Sequence, residues 1–119
     1  AYHCLFGFDA PELKPYGELF ENQVPILKQN LVEALVFDRD PNKRASAAYL
    51  LAHISSAEEL VKILTPQVYD SDAHVRNSVL RVLGFLISKE KVEKFPLEPI
   101  VDALNFPRLT DRNKALYVL

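Results

Sequence analysis

Asp70-Ser71-Asp72-Ala73-His74-Val75-Arg76 is the stretch on which the reading of this chain turns, because Asp38-Arg39-Asp40-Pro41-Asn42-Lys43-Arg44 repeats its plan 32 residues earlier. In both, two aspartates one residue apart precede an arginine and then an apolar run. Self-similarity at such a period is the mark of stacked supersecondary units. Working outward, Leu31 to Phe37 aligns with Ile63 to Tyr69 and with Ile100 to Phe106, and an aromatic closes each segment. Downstream, Lys43 to Leu51 aligns with Val75 to Leu83 and with Asp111 to Leu119. The third turn departs from the pattern: Pro107, Arg108 and Leu109 stand where the aspartates belong, although Arg112 keeps its place.

Both halves of each unit have a helical period. Val75, Val79, Val82 and Leu86 follow three- and four-residue steps and form one stripe, with Asn77, Arg81, Gly84 and Ser88 opposite. Asp72 and Asp40 are helix-start acceptors, Asp40 followed by a proline at the first helical position, and Thr110 or Asp111 is expected to cap the third inner helix. Ser55 or Ser56 with Glu58 or Glu59 has the form of a capping box. Pro66 predicts a bend or break, since it removes an amide donor and presses on the carbonyl of Lys62. The expected helices cover about 24–37, 41–54, 56–69, 73–88, 97–106 and 110–119. Before them, Tyr2 to Phe8 could finish the inner helix of a preceding unit, and Pro11, Pro15 and Gly17 read as a loop.

Composition bounds the rest. The chain has 119 residues, 49% of them hydrophobic and 25% charged, the balance of a folded domain rather than a disordered one. A net charge of -2 supplies no global attraction to phosphate backbones or anionic lipid. No apolar stretch is long enough to span a membrane. Cys4 is the only cysteine, so an internal disulfide and a cysteine-built metal cage are both excluded. A reducing, cytoplasmic setting is the expectation, and the absence of methionine together with a start at Ala1 suggests a piece of a longer chain.

The alternation of an apolar helix, an aromatic end, Asp-x-Asp, an arginine and a second apolar helix resembles the HEAT-like repeat family over roughly residues 24–119. The resemblance implies an all-α, right-handed α-solenoid of about three helix pairs. It places a partial or irregular element at 1–22, repeats at 23–54 and 55–90, and a truncated repeat at 91–119, all in one domain. It further implies that the inner helices line a concave face and that the matched turn residues link neighbouring repeats: Asp38, Asp40, Arg44, Asp70, Asp72, Arg76 and Arg112. The arginines could instead take an acidic or phosphate ligand, since guanidinium forks fit those oxygens.

A second column is a candidate partner site. Tyr49, Arg81 and Tyr117 are equivalent residues, with Asn77 and Asn113 beside them, on the helix faces turned from the apolar stripe. Tyrosine and arginine dominate binding energies because they join large area to a polar end. Stacked repeats would bring the column into line. His3, His53 and His74 are too scattered for a metal motif, and no histidine is followed by the glutamate that HEAT-like di-iron hydroxylases use. His53 aligns with Phe85, which favours packing or surface duty, and Cys4 reads as a small hydrophobe. No serine-hydrolase or phosphate-loop signature occurs.

The expected function is accordingly a non-catalytic protein-interaction scaffold without cofactor or metal, its partner another protein. Two alternatives come with the resemblance: a nucleic-acid module similar to HEAT-like alkylpurine DNA glycosylases, and a lyase-associated subunit similar to bilin-attachment proteins. Net negative charge and the lack of tryptophan argue against nucleic acid. Apolar Ala115, Leu116, Val118 and Leu119 at the end of the last helix predict a longer array or end-to-end self-association.

Overall fold

In a computed structural model, which describes residues 9–90 and 92–119, the chain is all-helical, with no strand among the described residues. Six α-helices run α1 Lys14–Phe37, α2 Pro41–Leu51, α3 Ala57–Leu64, α4 Ala73–Lys89, α5 Glu98–Ala103 and α6 Leu109–Val118. A 3-10 turn, Thr65–Tyr69, continues α3. The expectation for Tyr2 to Phe8, and with it His3 and Cys4, falls outside the described residues.

Local chemistry sets the boundaries. The Asp40 side chain accepts from the Asn42 amide, and Asp72 accepts from His74 and Val75, so each closes a helix start whose amides have no carbonyl of their own. Ser56 accepts from the Glu59 amide, but the Glu59 carboxylate turns to Lys28 instead of completing the box. Pro66 has the anticipated consequence: the α-helix ends at Leu64 and the chain tightens into the 3-10 turn, while the Thr65 hydroxyl donates 2.6 Å to the Val61 carbonyl.

Several expectations need correcting. The first helix begins at Lys14 and not near residue 24, so Pro15 and Gly17 are helical. Pro15 costs nothing in a first turn, where its missing N–H would have had no partner, and Gly17 is buried. Pro25 lies inside the same helix. The second helix stops at Leu51, and the fifth is only Glu98–Ala103. Neither Thr110 nor Asp111 caps α6: its N-cap is Arg108, with no side-chain bond, and Asp111 sits inside the helix.

Packing follows from which faces are apolar. Helices α2, α4 and α6 lie side by side in that order, with α1 against α2, α3 and its 3-10 turn against α4, and α5 against α6. As the middle member, α4 is covered on several sides, and Val75, Val79, Leu80, Val82, Leu83 and Leu86 are all fully buried. The single stripe read from the sequence is therefore too narrow. Gly84, assigned to the polar face, is buried as well: a Cβ there would sit 2.3 Å from a ring carbon of Tyr117, so the glycine is what lets α6 lay that ring across α4.

Candidate functional site

Two features of the surface carry side chains that are positioned by the repeat. One is the edge formed by the turns. Arg44 grips Asp70 bidentately, Nε to Oδ2 at 2.9 Å and Nη2 to Oδ1 at 3.0 Å, while its Nη1 donates to the carbonyls of Asp38 and Arg39 in its own turn. Arg76 does the same one unit on, Nε and Nη2 meeting the two oxygens of Asp111 at 3.0 and 2.9 Å, and Nη1 donating to the carbonyls of Asp70 and Ser71. Arg112 keeps the inner half of this geometry, with Nη1 2.9 Å from the Phe106 carbonyl and 2.8 Å from that of Pro107. Its Nε and Nη2 edge meets no carboxylate among the described residues.

Each arginine thus ties down its own turn and reaches the next. The carboxylates hold both guanidinium groups firmly charged: the hydrogen bond that Arg44 donates to Asp70 raises its pKa above the ordinary value, and the one that Arg76 donates to Asp111 does the same, burial opposing in both cases. Asp70 is itself held in place, since its Oδ1 also accepts from the Asp72 amide. Asp38 has the same local turn, accepting from the Asp40 amide at 2.9 Å, with no cation on its carboxylate among the described residues. Asp40 and Asp72 serve as caps and do not bridge turns. Sequence alignment missed Asp111 as a bridging residue, because it is registered with Lys43 and Val75 and not with Asp38 and Asp70.

Aromatics line the same edge. Tyr69 and Phe106 rings stand 6.3 Å apart, and the Arg76 guanidinium lies 5.8 Å from the Phe106 centroid, within cation–π range. Together with Ser71, Pro107 and Arg108 they wall a shallow groove. The Tyr69 hydroxyl donates to Asp102, and that bond pushes the phenol pKa up to about 12, with the nearby charge of Glu98 adding to it. Only the neutral phenol can donate. The contact is therefore intact below the ordinary tyrosine value of 10.0 and is lost as pH climbs through about 12. In a spectrophotometric titration Tyr69 should ionise about two pH units above the ordinary tyrosine value, and Asp102→Ala should remove most of that lag.

The second feature is the column predicted on α2, α4 and α6. Tyr49 on α2, Arg81 on α4 and Tyr117 on α6 lie on three helices that are successive neighbours. Arg81, Asn113 and Tyr117 are exposed, while Tyr49 and Asn77 are partly covered. Tyr117 is not a free-standing group, because its ring packs 6.1 Å from that of Phe85 and over Gly84. His53 is buried with its ring 5.1 Å from Phe20, a packing position.

Among the described residues, no three His, Cys, Asp or Glu side chains are grouped to hold a metal ion. No described helix is long and apolar enough to cross a membrane. No family model, curated protein or solved structure matches the chain.

Proposed function

We propose that this chain is a segment of a right-handed HEAT-like α-solenoid that works as a protein-interaction scaffold, binding its partner through the inner-helix column and carrying out no chemistry itself. The observation that supports this reading best is the threefold use of one arginine geometry. Arg44, Arg76 and Arg112 each point Nη1 at two carbonyls of their own turn, and two of them clamp a carboxylate of the following unit. Such a ladder spends the turn residues on holding units in register. It leaves the column on α2, α4 and α6 as the surface that differs from repeat to repeat, with tyrosine at two levels and arginine at one.

A pre-ordered array suits binding because little has to be fixed on association, so contact area is not offset by ordering entropy. Tyr49, Asn77, Arg81, Asn113 and Tyr117 give that face aromatic area, amides and one strong cation. Such a set fits a polypeptide with an acidic element better than a nucleic acid, for which a row of cations would be needed.

Affinity capture on residues 1–119, repeated with nuclease and at raised salt, tests the reading. A protein retained after nuclease, and lost tenfold or more with Arg81→Ala or Tyr49→Ala, is the expected result. Capture abolished by nuclease would transfer the chain to the nucleic-acid class. Retention unchanged by both substitutions would remove the column from the interface.

A further inference from the structure

The third turn, where Pro107 and Arg108 break the Asp-x-Asp pattern, walls one side of the groove that it shares with the second turn. We propose that this groove is a second docking site, separate from the column on α2, α4 and α6, and that it takes an extended peptide segment presenting an aromatic side chain flanked by carboxylates. The inference goes beyond the scaffold reading and stands on the groove alone. Both walls are turns with helices of this chain on either side, the second between the 3-10 turn and α4, the third between α5 and α6.

The break in the pattern leaves the third turn free for such a role. Pro107 follows Phe106 as Asp70 follows Tyr69. In the second turn Asp70 is consumed, since Arg44 holds both of its oxygens and the Asp72 amide donates to one of them. In the third unit the carboxylate for Arg76 comes instead from Asp111 on α6, so position 107 is released from the clamp. A proline there gives the wall apolar surface where an aspartate would bring charge. Arg108 beside it stands where the second turn has Ser71.

The walls decide the chemistry of the occupant. The groove has a volume of about 520 Å³ and is open to solvent, which suits a side chain carried by a passing segment better than an enclosed small molecule. Its apolar part is made by Pro107 and by the Tyr69 and Phe106 rings, tilted 57° to each other, with Tyr69 51% exposed. An aromatic side chain meets such rings edge to face. Three charged residues also wall the groove. Asp70 is paired with Arg44 and Arg76 with Asp111, whereas Arg108 is exposed and has no hydrogen bond or ion pair from its side chain among the described residues. Asp102 holds the Tyr69 hydroxyl but does not wall the groove. The uncommitted charge is therefore positive, and a guanidinium fork fits a carboxylate. A nucleic acid would need a row of cations and flat ring faces for successive bases, and one arginine beside two tilted rings provides neither.

Amide NMR of residues 1–119, titrated at low salt with a blocked peptide containing Glu-Phe-Glu between glycines, is the test. The expected result is saturable shifts centred on residues 69–76 and 106–108. Replacing both glutamates by glutamine, or the phenylalanine by alanine, should weaken binding fivefold or more. Arg108→Glu should weaken it tenfold or more and turn the preference towards a Lys-Phe-Lys peptide, and the exposed, unbonded side chain makes this substitution safe for the fold. Pro107→Asp, which restores the residue type of the intact turns, should also weaken binding fivefold or more. Absence of saturable shifts, equal affinity for the three charge forms of the peptide, or tighter binding of a single-stranded thymidine hexamer at the same residues would overturn the inference. So would shifts centred on Tyr49, Arg81 and Tyr117, which would assign the peptide to the column; loss of the column in its own capture experiment leaves the groove untouched.

Discussion

Arg76→Ala should destabilise the fold by roughly 4 kcal/mol, and Asp111→Ala by roughly 3 kcal/mol, both at the scale seen when one partner of a buried ion pair is removed. The asymmetry follows from burial. The Asp111 side chain is fully buried, whereas Arg76 keeps 13% of its side-chain surface in solvent. Deleting the arginine strands a carboxylate that has no route to water, and it also removes the donor to the Asp70 and Ser71 carbonyls and the cation over Phe106. Deleting the aspartate leaves a guanidinium that still holds two carbonyls and can turn its free edge outward. Urea unfolding with midpoints and slopes compared across the two single variants and the pair Arg76→Met with Asp111→Leu would measure this. The apolar pair should recover most of the loss, because two charges are removed together and neither is left unpaired. A loss below about 1 kcal/mol for Arg76→Ala would mean that the clamp contributes no more than a surface ion pair.

Arg76 also shows which parts of the architecture were readable beforehand. The helix pairs were legible because each local signal agreed with the others: Asp40 and Asp72 as caps, an arginine four residues after each, and an apolar period behind it. The carboxylate that Arg76 holds was not legible. Alignment places a proline at 107 where Asp38 and Asp70 stand, which marks the third turn as broken. Bidentate recognition, however, requires two oxygens at the right point in space and is indifferent to the chain position that supplies them. Asp111, on the first turn of α6, supplies them, and it reads as a cap in sequence because capping is the commoner duty of an aspartate at a helix start.

The start of α1 is hidden in the sequence for a related reason. Pro11, Pro15 and Gly17 are loop-forming residues on average, but Pro15 sits where a helix has no use for an amide, and Gly17 is buried, so tertiary packing outweighs propensity. Gly84 illustrates the limit of helical periodicity. A period assigns a residue to an angle on its own helix, and whether a neighbour's ring covers that angle depends on α6. For the candidate site, the types and register of Tyr49, Arg81 and Tyr117 could be read directly, while the lean of Tyr117 onto Phe85 could not.

The second large effect separates covered from bare members of one repeat register. Leu80→Ala and Leu83→Ala should each cost about 3 kcal/mol, within the range for deleting a fully buried leucine side chain from a packed core, whereas Leu116→Ala and Leu119→Ala should each change stability by less than about 0.5 kcal/mol. Leu80 and Leu116 are matched in chemistry, register and helical setting, whereas Leu83 lies inside α4 and Leu119 is the C-cap of α6. The first pair therefore measures most directly what burial under neighbouring helices contributes. Denaturant unfolding, with midpoints and slopes compared across the four single variants, would give the four values. Equal losses at positions 80 and 116 would show that the difference in burial between the two leucines does not govern their contribution to stability.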